Sequence, residues 1–165
     1  MTLFQLQRDL AEEIEIILDD IRLKNPSGDM VQMRTYTQDI PKRKQVIRKG
    51  ALMSEEEEAE DPYPFCIVKM ESGGIFSEMQ KVSVMLIIAI FNDDTQNQGQ
   101  QELLNVIHKI AERFIKDPVL KDEYIMDQKA GISWILDDED RYPYFVGGMT
   151  MKWDTFFVER EDKYV

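Results

Sequence analysis

Apolar residues follow two different periods along this chain, and each period marks its own elements. Leu3, Leu6, Leu10, Ile14, Ile17, Leu18 and Ile21 recur at three- and four-residue steps. That spacing lines them along one stripe of a helix over residues 2–23. Thr2 is placed to cap its start, and Asn25-Pro26-Ser27-Gly28 ends it, because proline cannot continue a helix and glycine accepts the turn. From Met30 to Thr37 the period changes to two, with Val31, Met33 and Thr35 alternating with Gln32, Arg34 and Tyr36, which predicts a strand. Phe65 to Met70 reads as another, broken by Gly73-Gly74. Lys81 to Phe91 contains VSVMLIIAIF, a branched and almost wholly apolar run. Such a run predicts a central strand buried on both faces.

Asn92, Asp93, Asp94 and Thr95 supply candidate caps for a second helix from about Gln98 to Lys116. Leu103, Val106, Ile107, Ile110 and Phe114 form its buried stripe, and Asp117-Pro118 stops it. Residues 119–129 read as irregular. Gly131 to Leu136 and Tyr144 to Val158 read as strands joined by a polar hairpin connection, Asp137-Asp138-Glu139-Asp140. In the last strand Phe145, Met149, Met151, Trp153 and Phe157 share one face, and Tyr144, Val146, Thr150, Lys152 and Asp154 the other. Gly147-Gly148 reads as a bulge or bend, and the tail EREDKYV as frayed.

The order α-β-arm-β-β-α-β-β predicts a single α+β domain over residues 1–165. It would be one mostly antiparallel sheet with two main helices packed on one face. A chain of 165 residues is long enough to bury roughly 70% of its unfolded surface, so it needs no disulfide or metal to hold a core.

Residues 38–62 fit neither period. Lys42, Arg43, Lys44, Arg48 and Lys49 form a basic block, and Glu55, Glu56, Glu57, Glu58, Glu60 and Asp61 an acidic one directly after it. Like charges at this density repel and resist packing, so the segment is expected to be a long, exposed, partly mobile arm between two strands. The two blocks look like halves of a complementary contact, in which the basic segment of one subunit meets the acidic segment of its neighbour.

The formal net charge is −12, which disfavours binding to bulk nucleic acid and anionic lipid. The longest apolar run, Val84 to Phe91, is far short of the ~20 residues of a membrane helix. The acidic N-terminal stretch does not read as a signal peptide, and the lone Cys66 suits a reducing compartment, so a cytoplasmic site of synthesis is expected. Candidate chemistry is sparse. His108, the one histidine, falls beside the stripe of the second helix, and Cys66 sits among Phe65, Ile67 and Val68, where a thiol behaves as a small hydrophobe. One Cys and one His argue against a zinc site, and the carboxylates at 55–61 and 137–140 lack the glycine and ligand spacing of a calcium loop. No glycine-rich phosphate loop is present. The expectation is a non-enzyme without cofactor or metal.

The segments DPYPFCIVKMESGG, VSVMLIIAIFNDD and RYPYFVGGMTMKWDTFFVERED are set around a helix and follow an N-terminal helix and an arm. In this order they resemble the tail-terminator, or tail-completion (minor tail), proteins of long-tailed bacteriophages and prophages. The likeness covers about residues 62–160 and rests on length, element order and the look of these segments. It implies a structural assembly protein that forms a ring, commonly of six subunits. The ring caps the tail tube, stops its growth and joins it to the head. The implied partners are further copies of the chain, tail tube protein and head-completion proteins, with DNA passing through without specific binding and no membrane. The implied location is the host bacterial cytoplasm during assembly, then the virion. The arm, through Lys42, Arg43, Lys44, Arg48, Lys49 and Glu55 to Glu58, is the candidate surface for neighbour or tube contacts, although its charge density departs from the family. Two other readings are a different virion part, such as a head–tail connector or tube subunit, and a small-ligand-binding domain.

Overall fold

The structure, a computed structural model, describes residues 2–41, 45–46, 55–56, 61–96 and 98–156, with the side chains of 45–46 and 55–56 left aside. Helix α1 spans Leu3–Ile17 and opens on a capping box in which Thr2 and Gln5 satisfy each other's free backbone N–H groups. Leu6, Leu10 and Ile14 are buried on its inner stripe, while Leu3 is exposed. The helix stops short of the expected residue 23. The chain turns at Leu18 and forms a small hairpin, β1 (Leu23–Lys24) with β2 (Met30–Val31), around Pro26 and Gly28. Gly28 has a φ of 91°, which explains a glycine there.

The strand expected from Met30 to Thr37 is split in two, because its halves pair differently. β2 pairs with β1, and β3 (Arg34–Thr37) runs parallel to the later strand β6. Between them Met33 drops into the core. Inside the expected arm, β4 (Gln45–Val46) and β5 (Glu55–Glu56) pair antiparallel.

β6 (Phe65–Ile75) and β7 (Met79–Phe91) form a long hairpin. Gly73-Gly74 do not break β6. A Cβ on Gly73 would lie 2.8 Å from the Lys81 carbonyl oxygen, so glycine lets the two backbones pass closely beyond a bulge between Met70 and Ser72. β7 is central as expected, but only its far end, Ile88 to Phe91, is buried on both faces. Earlier in the strand the face away from the helices is only partly covered.

Helix α2 (Gly99–Lys116) buries Leu103, Val106, Ile107, Ile110 and Phe114 as predicted. Its N-cap is Gln98, with no side-chain cap bond, and not one of residues 92–95. Those residues fold the preceding loop instead, with Asn92 Oδ1 accepting from Asp94 N and Asp94 Oδ1 from Gln96 N.

After α2, residues expected to be irregular form β8 (Val119–Leu120) and β9 (Tyr124–Met126). β10 (Ile132–Leu136) and β11 (Tyr144–Phe156) complete the sheet. The order of the seven-stranded sheet is β3-β6-β7-β11-β9-β8, with β10 also beside β11, and every pairing except β3–β6 is antiparallel. Gly147-Gly148 cause no bulge, for β11 pairs with β7 in unbroken register from Tyr144 to Phe156. Gly147 is instead held close to Ile107, Leu136 and the Ile135 carbonyl.

The fold is therefore α+β, with both helices on one face of a mostly antiparallel sheet. Cys66, Val68, Val84, Leu86, Ile88, Met149, Met151 and Trp153 form the inner face of the sheet and meet the two helix stripes in one core. Phe157 lies outside the described residues. Among the described residues no helix is long and apolar enough to cross a membrane.

Candidate functional site

The described residues on either side of the expected arm are each anchored to the domain. At the first root, Gln38 adopts a φ of 68° and its backbone N–H donates to the Val68 carbonyl. Its Oε1 accepts from Gln7 Nε2 (2.9 Å) and from Met70 N (3.1 Å). Gln7 is buried on α1 and donates a further bond, 2.8 Å, to the Val68 carbonyl. A buried amide without these partners would cost about 1–3 kcal/mol. Two glutamines thus tie the arm's exit to both α1 and β6.

At the second root the chain returns through Asp61, whose carboxylate accepts from Tyr63 N, and enters β6 through a cis Tyr63–Pro64 bond. The Tyr63 ring lies against Phe65 (centroids 4.9 Å apart) and Tyr144 (4.6 Å). Tyr144 in turn meets Phe91 at 5.7 Å, and Phe65 meets Tyr36 at 6.4 Å. These rings join β3, β6, β7 and β11 on the face opposite the helices, where Phe65, Ile67 and Ala89 form a second small core with Ile40 packed on it. Burial beneath this cluster raises the Tyr63 phenol above its ordinary range.

Of the predicted contact residues, Lys42, Arg43, Lys44, Arg48, Lys49, Glu57 and Glu58 lie outside the described residues. Glu55 and Glu56 fall in β5, with Val46 and Gln45 opposite them.

The acidic 137–140 loop is the hairpin connection expected, and it also walls a cleft of about 380 Å3. Asp94, in the loop that precedes α2, adds a carboxylate, and Leu103, Leu136, Phe145 and Val146 also line the cleft. Arg141 Nε reaches Asp137 and its Nη2 reaches Glu139, both at 2.8 Å. Tyr142 Oη donates to the Asp93 carbonyl at 2.6 Å and closes one wall. Among the described residues no group of three or more His, Cys, Asp or Glu side chains is arranged to hold a metal ion. His108 is exposed on α2, and Cys66 is fully buried.

Burial pushes the Cys66 thiol from its ordinary 9.0 up to about 12. Burial, and then the negative charges of Asp9 and Glu123, push the Tyr124 phenol from 10.0 up to about 12. Both groups hold their protons more tightly folded than unfolded. The stability this carries is complete below pH 9 and is lost as pH rises toward 12. The urea midpoint should therefore fall steadily above pH 9, and Cys66→Ala should flatten that slope. A midpoint that stays level to pH 11 in the unsubstituted protein would contradict burial of both groups in neutral form.

No protein-family model matches the chain, and no curated protein sequence matches it.

Proposed function

We propose that the protein is a structural assembly protein, a ring-forming terminator of a long phage or prophage tail. The ring caps the tail tube and joins it to the head-completion proteins. The mount of the arm supports this reading. A charged segment leaves a packed α+β domain through two roots, the Gln7–Gln38 clasp and the Tyr63 ring cluster, that fix where it starts and where it returns. Ends anchored in this way would let the charged segment meet another polypeptide at a set position. Lys42, Arg43, Lys44, Arg48 and Lys49 would meet the acidic surface of a neighbouring copy, and the net charge of −12 per chain would let DNA pass the ring without sticking. The protein would work in the host bacterial cytoplasm during assembly and then in the virion.

The test combines light scattering and electron microscopy of the full chain, alone and with tail tube protein. A closed ring of finite copy number that ends tubes is expected, and replacing the five basic residues by glutamate should abolish it. Unlimited polymerisation would identify a tube subunit instead, because only a closing contact gives a finite ring. A strict monomer that ignores tubes would overturn the reading.

A further inference from the structure

Among the described residues the seven-stranded sheet leaves four stretches of edge. β3 is covered by α1, with Thr35 Oγ1 and N donating to Glu15 and Thr35 Oγ1 also to the Ala11 carbonyl. β8 is two residues long. β6 beyond Val68 carries Lys69 and Glu71, a bulge, and the Gln38 side chain bonded to Met70. Charges and bulges of this kind are how sheet edges avoid pairing with another chain. β10 has neither. Its sequence, Ile132-Ser133-Trp134-Ile135-Leu136, is uncharged in a chain that is 32% charged, and it pairs with β11 in regular register. Trp134 is 55% exposed and Ile135 71%, on opposite faces of the strand, so the edge is apolar on both sides.

We propose that β10 is a two-fold pairing edge, at which two copies of this chain join antiparallel into one continuous sheet. The register follows from the backbone. Asp137 N donates to the Val146 carbonyl, so residues 133, 135 and 137 turn their backbone groups toward β11. Ile132, Trp134 and Leu136 turn theirs outward. An axis at Trp134 sets that residue opposite Trp134 of the partner subunit, and Ile132 opposite the partner's Leu136. Three outward pairs exchanging two bonds each give about six inter-chain hydrogen bonds. The tryptophans form a cross-strand aromatic pair, the kind that stabilises sheets.

Under that axis the outward positions Ile132, Trp134 and Leu136 meet the partner's Leu136, the partner's Trp134 and the partner's Ile132, so the seam within the strand buries no charge. The contact does not rest on the tail reading. A two-fold contact closes on itself, whereas a ring is built from a head-to-tail contact, so the two use different surfaces.

The test uses the full chain. Sedimentation equilibrium should show a monomer–dimer equilibrium that Trp134→Lys with Ile135→Lys weakens at least about ten-fold. Far-UV circular dichroism should stay unchanged, and Ile135→Lys alone serves as a milder second variant. Under mild oxidation Trp134→Cys should cross-link to itself, since directly opposed Cα atoms at about 5.5 Å suit a disulfide. Ile135→Cys should not cross-link to itself but should link to Ser133→Cys in a mixture. A monomer at every soluble concentration, a dimer indifferent to both lysine variants, or unselective cross-linking would each overturn the proposal. A lysine variant that is monomeric alone yet still closes rings on tubes supports it. A wild-type β10 dimer that never caps tubes also supports it, while the tail reading alone falls.

Discussion

Replacing Trp153 by alanine should cost about 3–5 kcal/mol of stability, the range for removing a large aromatic from a packed core. Trp153 lies on β11, opposite Val82 of β7 on one side and Met126 of β9 on the other. It is fully buried, and its ring meets Phe114 of α2 edge-on, with centroids 5.3 Å apart and planes at 89°. Alanine would remove the side chain that fills the space between two sheet neighbours and a helix, and none of these can close the gap without breaking its own register. Domains of this size are held by only about 5–15 kcal/mol, so the variant should unfold at a far lower urea concentration or fail to accumulate. Trp153→Phe should cost much less. The indole Nε1 is buried without a hydrogen-bond partner, so phenylalanine deletes an unpaired donor whose burial itself costs about 1–3 kcal/mol. Phe156, three residues further along the same strand and 61% exposed, gives the control, for alanine there should change stability by no more than about 0.5 kcal/mol. Urea titrations followed by far-UV circular dichroism measure all three. Equal costs at Trp153 and Phe156 would contradict the packing described.

The elements that announced themselves in the sequence are those whose stability comes from one repeating face. Leu6, Leu10 and Ile14 on α1, and Leu103 to Phe114 on α2, follow a helical period because a single surface buries them. The apolar run of β7 marked the centre of the sheet for a similar reason. Sequence period says nothing about pairing partners, and the differences gather there. One alternating stretch became β2 and β3 because its halves join different strands, one of them parallel. β8 and β9 carry no alternation, since Tyr124 and Met126 are fixed by contact with β11 rather than by a polar opposite face. In the sequence Gly73 looks like a breaker because the carbonyl it makes room for belongs to Lys81, across the hairpin. The site features were hidden more completely. Gln7 and Gln38 are ordinary polar residues until α1 and β3 come together. The acids at 137–140 were visible as a loop, but the cleft they share with Asp94 exists only once α2 packs beside β11.

That cleft also makes Gly99→Ala destabilising, by about 1–3 kcal/mol, although alanine ordinarily strengthens a helix by up to about 1 kcal/mol over glycine. Gly99 is the first residue of α2 and is buried. A Cβ added there would stand 2.2 to 2.6 Å from three atoms of the Phe145 ring, well inside contact distance. The backbone at Gly99 is fixed by the helix it starts, so the ring must move. The space open to it is the cleft it lines, and moving there takes it away from the core it packs against. The loss should therefore be coupled to Phe145 alone. In Phe145→Leu the obstructing ring atoms are gone, and adding Gly99→Ala to that variant should cost little or give a small gain. A double-mutant cycle by urea denaturation should return a favourable coupling of about 1 kcal/mol or more between the two positions, while Gly99→Ala combined with a substitution at the distant, exposed Ile16 should be additive. Additive behaviour at Phe145 as well would mean that the helix start, and not the ring, pays for the methyl group, and the close approach of α2 to β11 would then be wrongly drawn.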